Sequence, residues 1–399
     1  MNVCMLTYSF FESDTRILQY TAALTARGDT VDVLSLQREG SPVDEVLDGV
    51  RIHRLQKRTV NEKGPFAYLK RILSFMAKAA LYLSRPSSIR RYDVIHVHSV
   101  PDFLVFATLA PRLLGAKVIL DIHDILPEFY AAKFGLSKKS LMFRALALCE
   151  KFSAGFANHV IIANDLWRAR LLERTTAPDK CLTVRNYPDP DFFHPYPHVS
   201  DGKTFRIVYP GTLNEHQGLD IALRAFARVT SAIPEARFDI YGEGPALSQL
   251  KTLRETLQLE NRVYFHGFLP VKEIGRHMAE ADLAVVPKRV STGFGNEAAS
   301  TKIMEFMSVG VPVIVSRTQI DSLEYDDSAV HFVQPEDEVA LGEAILYLHD
   351  HPEYREQLVD GAFAYLQQHN WAKRKFDYLA VVDSLCPRTK RKSEREVHA

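Results

Sequence analysis

Short, almost wholly apolar runs recur along the chain, each separated from the next by a stretch of helix length. This alternation constrains the fold more than any other feature. NVCMLTY at the N-terminus, TVDVLSL (30–36), VRIHRL (50–55), DVIHVHS (93–99), KVILDIHD (117–124) and HVIIAN (159–164) read as strands. Most lack a strict polar alternation, as parallel strands covered on both faces require. The segments between them, 15–27 closed by Gly28, about 66–83, a stretch through Leu114, and 137–157, read as helices. The pattern then restarts with FRIVYPG (205–211), ARFDIYGEG (236–244), RVYFHGF (262–268), DLAVVPK (282–288) and VPVIV (311–315). Helices are expected over 218–230, to about Leu259, to Ala281, over 338–349 and over 354–368. Two α/β domains, each with a doubly wound parallel sheet, follow from this order.

The chain has 399 residues, enough for two domains that each bury a core. Its net charge is zero, which speaks against bulk nucleic-acid binding. Cys4, Cys149, Cys181 and Cys386 show neither metal nor redox spacing and suit a reducing cytosol. The N-terminal run is short, lacks a basic leader and reads as a first strand rather than a signal peptide. No apolar run approaches the roughly 18 residues that span a bilayer.

Residues 287–316 (PKRVSTGFGNEAASTKIMEFMSVGVPVIVS) combine a strand end, a glycine loop, one helix and a second buried strand. Gly293 and Gly295 let the backbone approach a ligand closely or take positive φ. Asn296 is placed to cap the helix. Ile303, Met304, Phe306 and Met307 form its apolar face, and Gly310 with Pro312 stops it. On one continuous helix Glu297 and Glu305 stand about 80° and about 12 Å apart. That is too far for a close carboxylate pair and suits opposite ends of one elongated ligand. Lys302 and the positive helix start lie between them and face an anion. Two glutamates alone are better read as a solvated helix face; the glycine loop, the cap and the buried strand behind them favour a site.

Glu297, seven residues, Glu305 and then Gly310-Val-Pro-Val-Ile resemble the E-x7-E signature of retaining glycosyltransferases of family 4. Their GT-B fold has two Rossmann-like domains facing across a cleft. The resemblance implies a nucleotide-diphosphate sugar as donor, held by the C-terminal domain, with Glu305 on the ribose hydroxyls and Glu297 on the sugar hydroxyls. Gly295, Asn296 and Ala298 join the donor-binding positions. Gly242-x-Gly244 is weak as a dinucleotide motif, lacking the third glycine and the later acid; in the family this YGEGP turn lines the nucleotide cleft. The loop PGTLNEHQGLD (210–220) departs from the pattern. Many members carry an Arg just after the first glycine, here Gly211, and a Lys just before the second. This chain has Thr212 and Gln217 there, so two charges are missing where a leaving diphosphate must be stabilised. Lys302, Arg289, Lys288 and the helix-start amides are the available replacements, with Lys302 and Arg289 expected to do the work.

Domain limits follow from composition and resemblance together. Residues 1–187 form an acceptor-side domain, and 188–204, with Pro188, Pro190, Pro195 and Pro197, a linker. Residues 205–370 form the nucleotide-sugar domain. Residues 371–386 resemble the closing helix that crosses back to the N-terminal domain, and 387–399 are expected to be disordered.

In the first half, polar groups gather in three loops beyond the carboxyl ends of strands, 9–16, 96–102 and 121–128. His123 ends one strand, followed by Asp124, Pro127 and Glu128. A lone histidine at a strand end is more often structural, but the family places one on this element at the donor sugar, which makes His123 a site residue beside the anomeric centre. His96 and His98 share one face of their strand and read as core. Asp14 and Arg16 resemble the acceptor-side loop without its paired glycines, and Asn186 matches an Asn-containing loop. Residues 51–91 hold eleven Lys or Arg against one acid, Glu62. Their helix either docks on anionic lipid or a pyrophosphate-linked lipid acceptor, or packs with a solvated basic face. Both readings stay open.

The resemblance thus implies a retaining glycosyltransferase moving a sugar to a hydroxyl of a glycan or polyprenyl-diphosphate-linked acceptor in cell-surface polysaccharide biosynthesis. It is expected in the cytoplasm or peripheral on the inner membrane face, with His123, Glu297 and Lys302 as catalytic residues. Same-face attack assisted by the leaving phosphate oxygen needs no protein nucleophile. No metal and no tightly bound cofactor are expected. Two rivals share the fold: a nucleotide-sugar 2-epimerase, and a non-catalytic nucleotide-sugar-binding subunit, which the missing Arg and Lys favour.

Overall fold

The computed structural model describes residues 1–58, 65–135, 137–197, 203–291 and 293–387. The chain forms two compact units, Met1–Asn186 together with the residues from Ala372, and Tyr187–Trp371. Residues 198–202 of the expected linker and 388–399 of the expected tail lie outside the described residues.

The first unit is built on β1 (Asn2–Thr7), β2 (Thr30–Gln37), β3 (Asp44–Leu47), β4 (Val50–Lys57), β5 (Val94–His98), β6 (Lys117–Ile122), β7 (His159–Ile162) and β8 (Cys181–Thr183). They form one sheet in the order β3-β4-β2-β1-β5-β6-β7-β8, parallel except at β3. Every residue of β5 is buried, and β1, β2 and β6 are buried apart from their first residues, because helices cover both faces. β3 is an addition to the sequence reading. It pairs antiparallel with β4 across Asp48-Gly49, both at positive φ (50° and 79°), a two-residue hairpin turn. Its sequence, DEVL, is largely solvent-facing, so no apolar run announces it.

The first helix, Thr15–Ala26, starts where Asp14 accepts the Ile17 amide. Helices Leu126–Phe134 and Asp165–Arg174 were not read from the sequence, and the one expected over 137–157 is Leu141–Phe156. The closing helix, Trp371–Leu385, buries Tyr378, Val381 and Val382. The Tyr378 hydroxyl lies 3.2 Å from His96 Nδ1, so this helix packs within the first unit.

The second unit contains β9 (Phe205–Pro210), β10 (Ala236–Tyr241), β11 (Val263–Gly267), β12 (Leu283–Val286), β13 (Val313–Ser316) and β14 (His331–Val333). All are parallel, in the order β11-β10-β9-β12-β13-β14. One core lies under each face: Phe226, Phe238, Leu283 and Leu348 on one, Met304, Phe306, Val286 and Val315 on the other. Each such side chain stabilises the fold by about 1.5–3 kcal/mol of transfer energy. The strand order reverses between β9 and β12, and the loops at such a switch point are where a doubly wound sheet opens a crevice.

Candidate functional site

The loops that follow β9 and β10 interlock through their backbones. Gly211 N donates to Tyr241 O at 2.8 Å, and Gly242 N donates to Gly267 O at 2.6 Å. A Cβ at Gly242, which has φ +138°, would stand 1.9 Å from the Gly211 carbonyl oxygen; one at Gly244 would stand 2.4 Å from that of Leu213. Close backbone approach therefore accounts for the Gly-x-Gly spacing. Thr212 is exposed at the tip of the same loop.

Across the switch point, residues 293–310 differ from the sequence reading. A short helix, Phe294–Glu297, ends at Ala298, whose backbone is extended, and a separate helix, Thr301–Val309, begins after Ser300. Asn296 therefore does not cap the main helix: it sits inside the short one, and its Oδ1 accepts the Gln319 amide at 2.8 Å. The break turns the expected single rod with Glu297 and Glu305 two turns apart into two segments. Extended backbone at Ala298 and Ser300 interrupts the i to i−4 ladder, so the 80° and 12 Å estimate does not apply. Gly295 and Glu297 are buried in the short helix, while the Ala298 carbonyl accepts from Lys288 Nζ at 2.7 Å.

The helix Thr301–Val309 starts without a side-chain cap. Ser300 is buried, and its Oγ has no hydrogen-bond partner among the described residues. Lys302, the second residue of this helix, lies along Gly211: a Cβ there would be 2.4 Å from Lys302 Cε. Its Nζ donates to Gln217 Oε1 at 3.1 Å and stands 5.3 Å from the centre of the Tyr209 ring. Tyr209 Oη donates to the same Gln217 oxygen at 3.1 Å. Burial pulls the Lys302 ammonium down to about 8, against the Glu305 carboxylate, which raises it. Burial in turn pushes the Glu305 carboxyl up, offset by Lys302 and the Thr301 hydroxyl. His216, beside Gln217, is depressed by burial and by Lys302 and Lys288. Gly211, Gln217, Lys302 and Glu305 are thus brought together, at a helix start that no side chain caps.

The other two candidate cations are occupied elsewhere. Lys288 is buried, 2.6 Å from Asp321 Oδ2. Arg289 pairs with Asp220 and with Glu336 Oε2, the latter at 3.3 Å. Glu336 also accepts the amides of Val290 and Ser291 at 3.0 and 2.8 Å. The expected phosphate role of Arg289 thus meets a guanidinium neutralised by two carboxylates, which fix the loop after β12. Of the acids that claim these cations, Asp321 and Glu336 lie outside the motif and carry no local signal, whereas Asp220 ends the loop 210–220.

In the first unit, His123 is joined to a buried cluster at the ends of β5 and β6. Asp121 takes a bidentate pair from Arg16, with Nε and Nη2 at 2.8 Å. His98 Nδ1 and His123 Nε2 each stand 3.4 Å from Asp121 Oδ2, and 3.3 Å from one another. Arg16 also donates to Asn186 Oδ1 at 3.0 Å, which ties together the two loops singled out in the sequence. Asp14 is committed to capping the helix. His96 and His98 are fully buried, as their alternation in β5 indicates, and burial lowers both. Asp121 falls at the start of the polar stretch 121–128 without being singled out there; its signal is a lone charge inside the apolar run VILDI. Among the described residues, His96, His98 and Asp121 form the one converging group of metal-ligating types. The Arg16 guanidinium fills both oxygens of its only carboxylate, so a cation there would have to displace it.

Comparison with known proteins relates the chain to a family. Residues 13–187 match the family model described as glycosyl transferase 4-like domain, and 193–364 the one described as glycosyl transferases group 1. WcaL of Escherichia coli K12, named for colanic acid biosynthesis, is 29% identical over 183 residues, 46% of this chain and 45% of its own. The match therefore spans less than half of that relative. Among solved structures, sucrose-phosphate synthase from Thermosynechococcus elongatus superposes with a TM-score of 0.78 at 18% identity, over 96% of this chain and 99% of that one. HepE of Anabaena, solved with UDP-glucose, gives 0.70 at 16% identity, over 96% and 100%. These two likenesses speak to the fold.

Proposed function

The chain belongs to the GT-B glycosyltransferases of the family 4 type, and from that premise we propose that it moves a sugar from a nucleotide-diphosphate sugar to a hydroxyl, with retention at the anomeric carbon. The acceptor is a glycan or a lipid-linked glycan, and the setting is polysaccharide biosynthesis; the likeness to WcaL supports that setting. The likeness to HepE, solved with UDP-glucose, supports the donor class.

The observation that carries the reading is Lys302 at the uncapped start of Thr301–Val309, hydrogen-bonded to Gln217 and packed on Gly211. The diphosphate binds here. Lys302, the amides at the uncapped helix start and the Ser300 hydroxyl receive its oxygens. Lys302 supplies from the helix the charge that the loop 211–217 lacks, which stabilises the leaving group. Glu305 takes the ribose hydroxyls and Glu297 the sugar hydroxyls. Gly242, Gly295, Asn296 and Ala298 shape the loops around the donor, Thr212 offers its hydroxyl, and Arg289 positions the loop after β12. In the first unit His123 is the catalytic contribution, oriented by Asp121 and His98. The leaving phosphate oxygen assists same-face attack, so no protein nucleophile is assigned.

Nucleotide release from a panel of UDP- and GDP-sugars, with and without lipid-linked acceptors, tests this. Release that depends on acceptor, with a product of retained configuration, supports it. Epimerised donor without acceptor assigns the chain to the 2-epimerases, and tight donor binding without turnover to a non-catalytic subunit.

A further inference from the structure

The helix Leu141–Phe156 in the first unit is amphipathic the wrong way round for a water-facing helix. It buries Glu150, Ser153 and Ala154. Its exposed side holds Leu141, Met142, Ala145, Leu148 and Phe152, a single stripe at helical spacing. Leu141 is 83% exposed and Phe152 61%. The stripe does not end there. The turn Asp102–Thr108 packs against this helix and against Pro65–Leu83. Phe106 in the turn is exposed and meets Phe156 edge-on at 5.2 Å. Leu109 and Leu113 follow it, and Leu73 and Leu81 are exposed on Pro65–Leu83. Exposed apolar side chains thus recur on three segments that pack on one another, rather than standing singly.

Charge decides what covers this face. Residues 65–83, 102–114 and 137–156 carry eight Lys or Arg and two acids, Asp102 and Glu150. Both acids are turned inward: Asp102 accepts from Ser99 Oγ at 2.6 Å and Glu150 from Arg174 at 3.1 Å. Lys70, Lys78, Lys138, Lys139, Arg144 and Lys151 are all exposed. A second copy docked through the same patch would set these cations against each other, whereas an anionic bilayer complements both the apolar stripe and the charge. We infer that the first unit docks on an anionic phospholipid surface through the outer faces of Leu141–Phe156 and Pro65–Leu83, with the intervening residues 106–113. This widens the basic segment 51–91, whose residues 59–64 lie outside the described residues, to a face in which Leu141–Phe156 supplies most of the apolar contact. The inference stands apart from the sugar-transfer reading and is read without turnover.

The test is co-sedimentation of the full chain with phosphatidylcholine vesicles, with and without phosphatidylglycerol. Binding at least about tenfold stronger to the anionic vesicles, weakening as salt rises, is expected. The double variant Leu148→Glu/Phe152→Glu and the double variant Lys138→Glu/Lys139→Glu should each lose most of it. All four side chains are exposed, so both variants should keep the wild-type thermal unfolding curve. Failure of the wild type to sediment with anionic vesicles overturns the inference, as does wild-type binding by both variants. Self-association that Leu148→Glu/Phe152→Glu dissolves, without vesicle binding, would assign the face to a second copy instead.

Discussion

The ammonium of Lys302 lies 3.1 Å from the amide oxygen of Gln217, 85 residues earlier in the chain. Gln217 stands where many members of the family have a lysine, and Tyr209 Oη shares its oxygen. One side chain on a helix thus reaches the place from which a loop charge is missing, and it does so partly buried, where a phosphate interaction is screened least.

Burial gives that ammonium a pH dependence. With its value at about 8, Lys302 is charged at neutral pH and loses its proton above about pH 8. A bound diphosphate favours the charged form, so binding takes up a proton as pH rises through this range. Affinity for UDP or GDP should fall by up to about tenfold per unit above about pH 8. Lys302→Arg should flatten the profile, since a guanidinium stays charged. Calorimetry at about pH 7 and about pH 9.5 in buffers of differing ionisation enthalpy reads both effects.

The interlocked glycine loops predict a sharp contrast between two substitutions. Gly242→Ala sets a methyl 1.9 Å from a carbonyl oxygen at φ +138°, and should cost about 3 kcal/mol or more. Gly267→Ala meets open space at φ +76° and should cost about 1 kcal/mol. Denaturant unfolding of the two variants checks the order.

Asp121 holds Arg16 and faces His98 and His123, so Asp121→Asn takes the counter-charge from a buried guanidinium. A loss of about 3–5 kcal/mol is expected, together with impaired turnover through His123.

The same cluster sets the acid limit of the fold. His96 and His98 are held below their ordinary range by burial, so the unfolded chain binds protons that the folded one refuses. Their contribution is complete above about pH 6.5 and is lost as pH falls below it, at up to about 1.4 kcal/mol per unit for each histidine. Asp121, held well below the carboxylate range by Arg16 despite its burial, adds a loss only at lower pH, below about 4. Glu150 and Asp102, pushed up by burial to about 8 and about 6, act in the opposite sense. The loss is therefore read as the difference in unfolding free energy between the wild type and His98→Asn from about pH 7 to about pH 5. A difference that does not change with pH would contradict this account.

Much of the architecture was legible because a strand buried on both faces has to be apolar. β1, β2, β5, β6, β9, β10, β12 and β13 all announce themselves this way. β3 did not, because it is an exposed edge hairpin whose only mark is Asp48-Gly49. The main helix of the site was placed correctly and its start was not. Residues 298–300 are compatible with a helix by propensity, and what breaks it is tertiary, with Lys288 drawing the Ala298 carbonyl away and Gln319 occupying Asn296. Lys302 could be named from the motif. The partners that claim Lys288 and Arg289, 33 and 47 residues further on, could not, because ion pairs at that separation leave no periodic trace.

The most direct test of the donor site is a calorimetric comparison of UDP or GDP with the corresponding nucleoside, on the wild type and on Lys302→Ala. If Lys302 with the open helix start holds the diphosphate, the variant should lose about 10–100-fold in affinity for the nucleoside diphosphate. Its weak binding of the nucleoside should not change. Undiminished diphosphate affinity in Lys302→Ala would place the anion elsewhere and contradict the account.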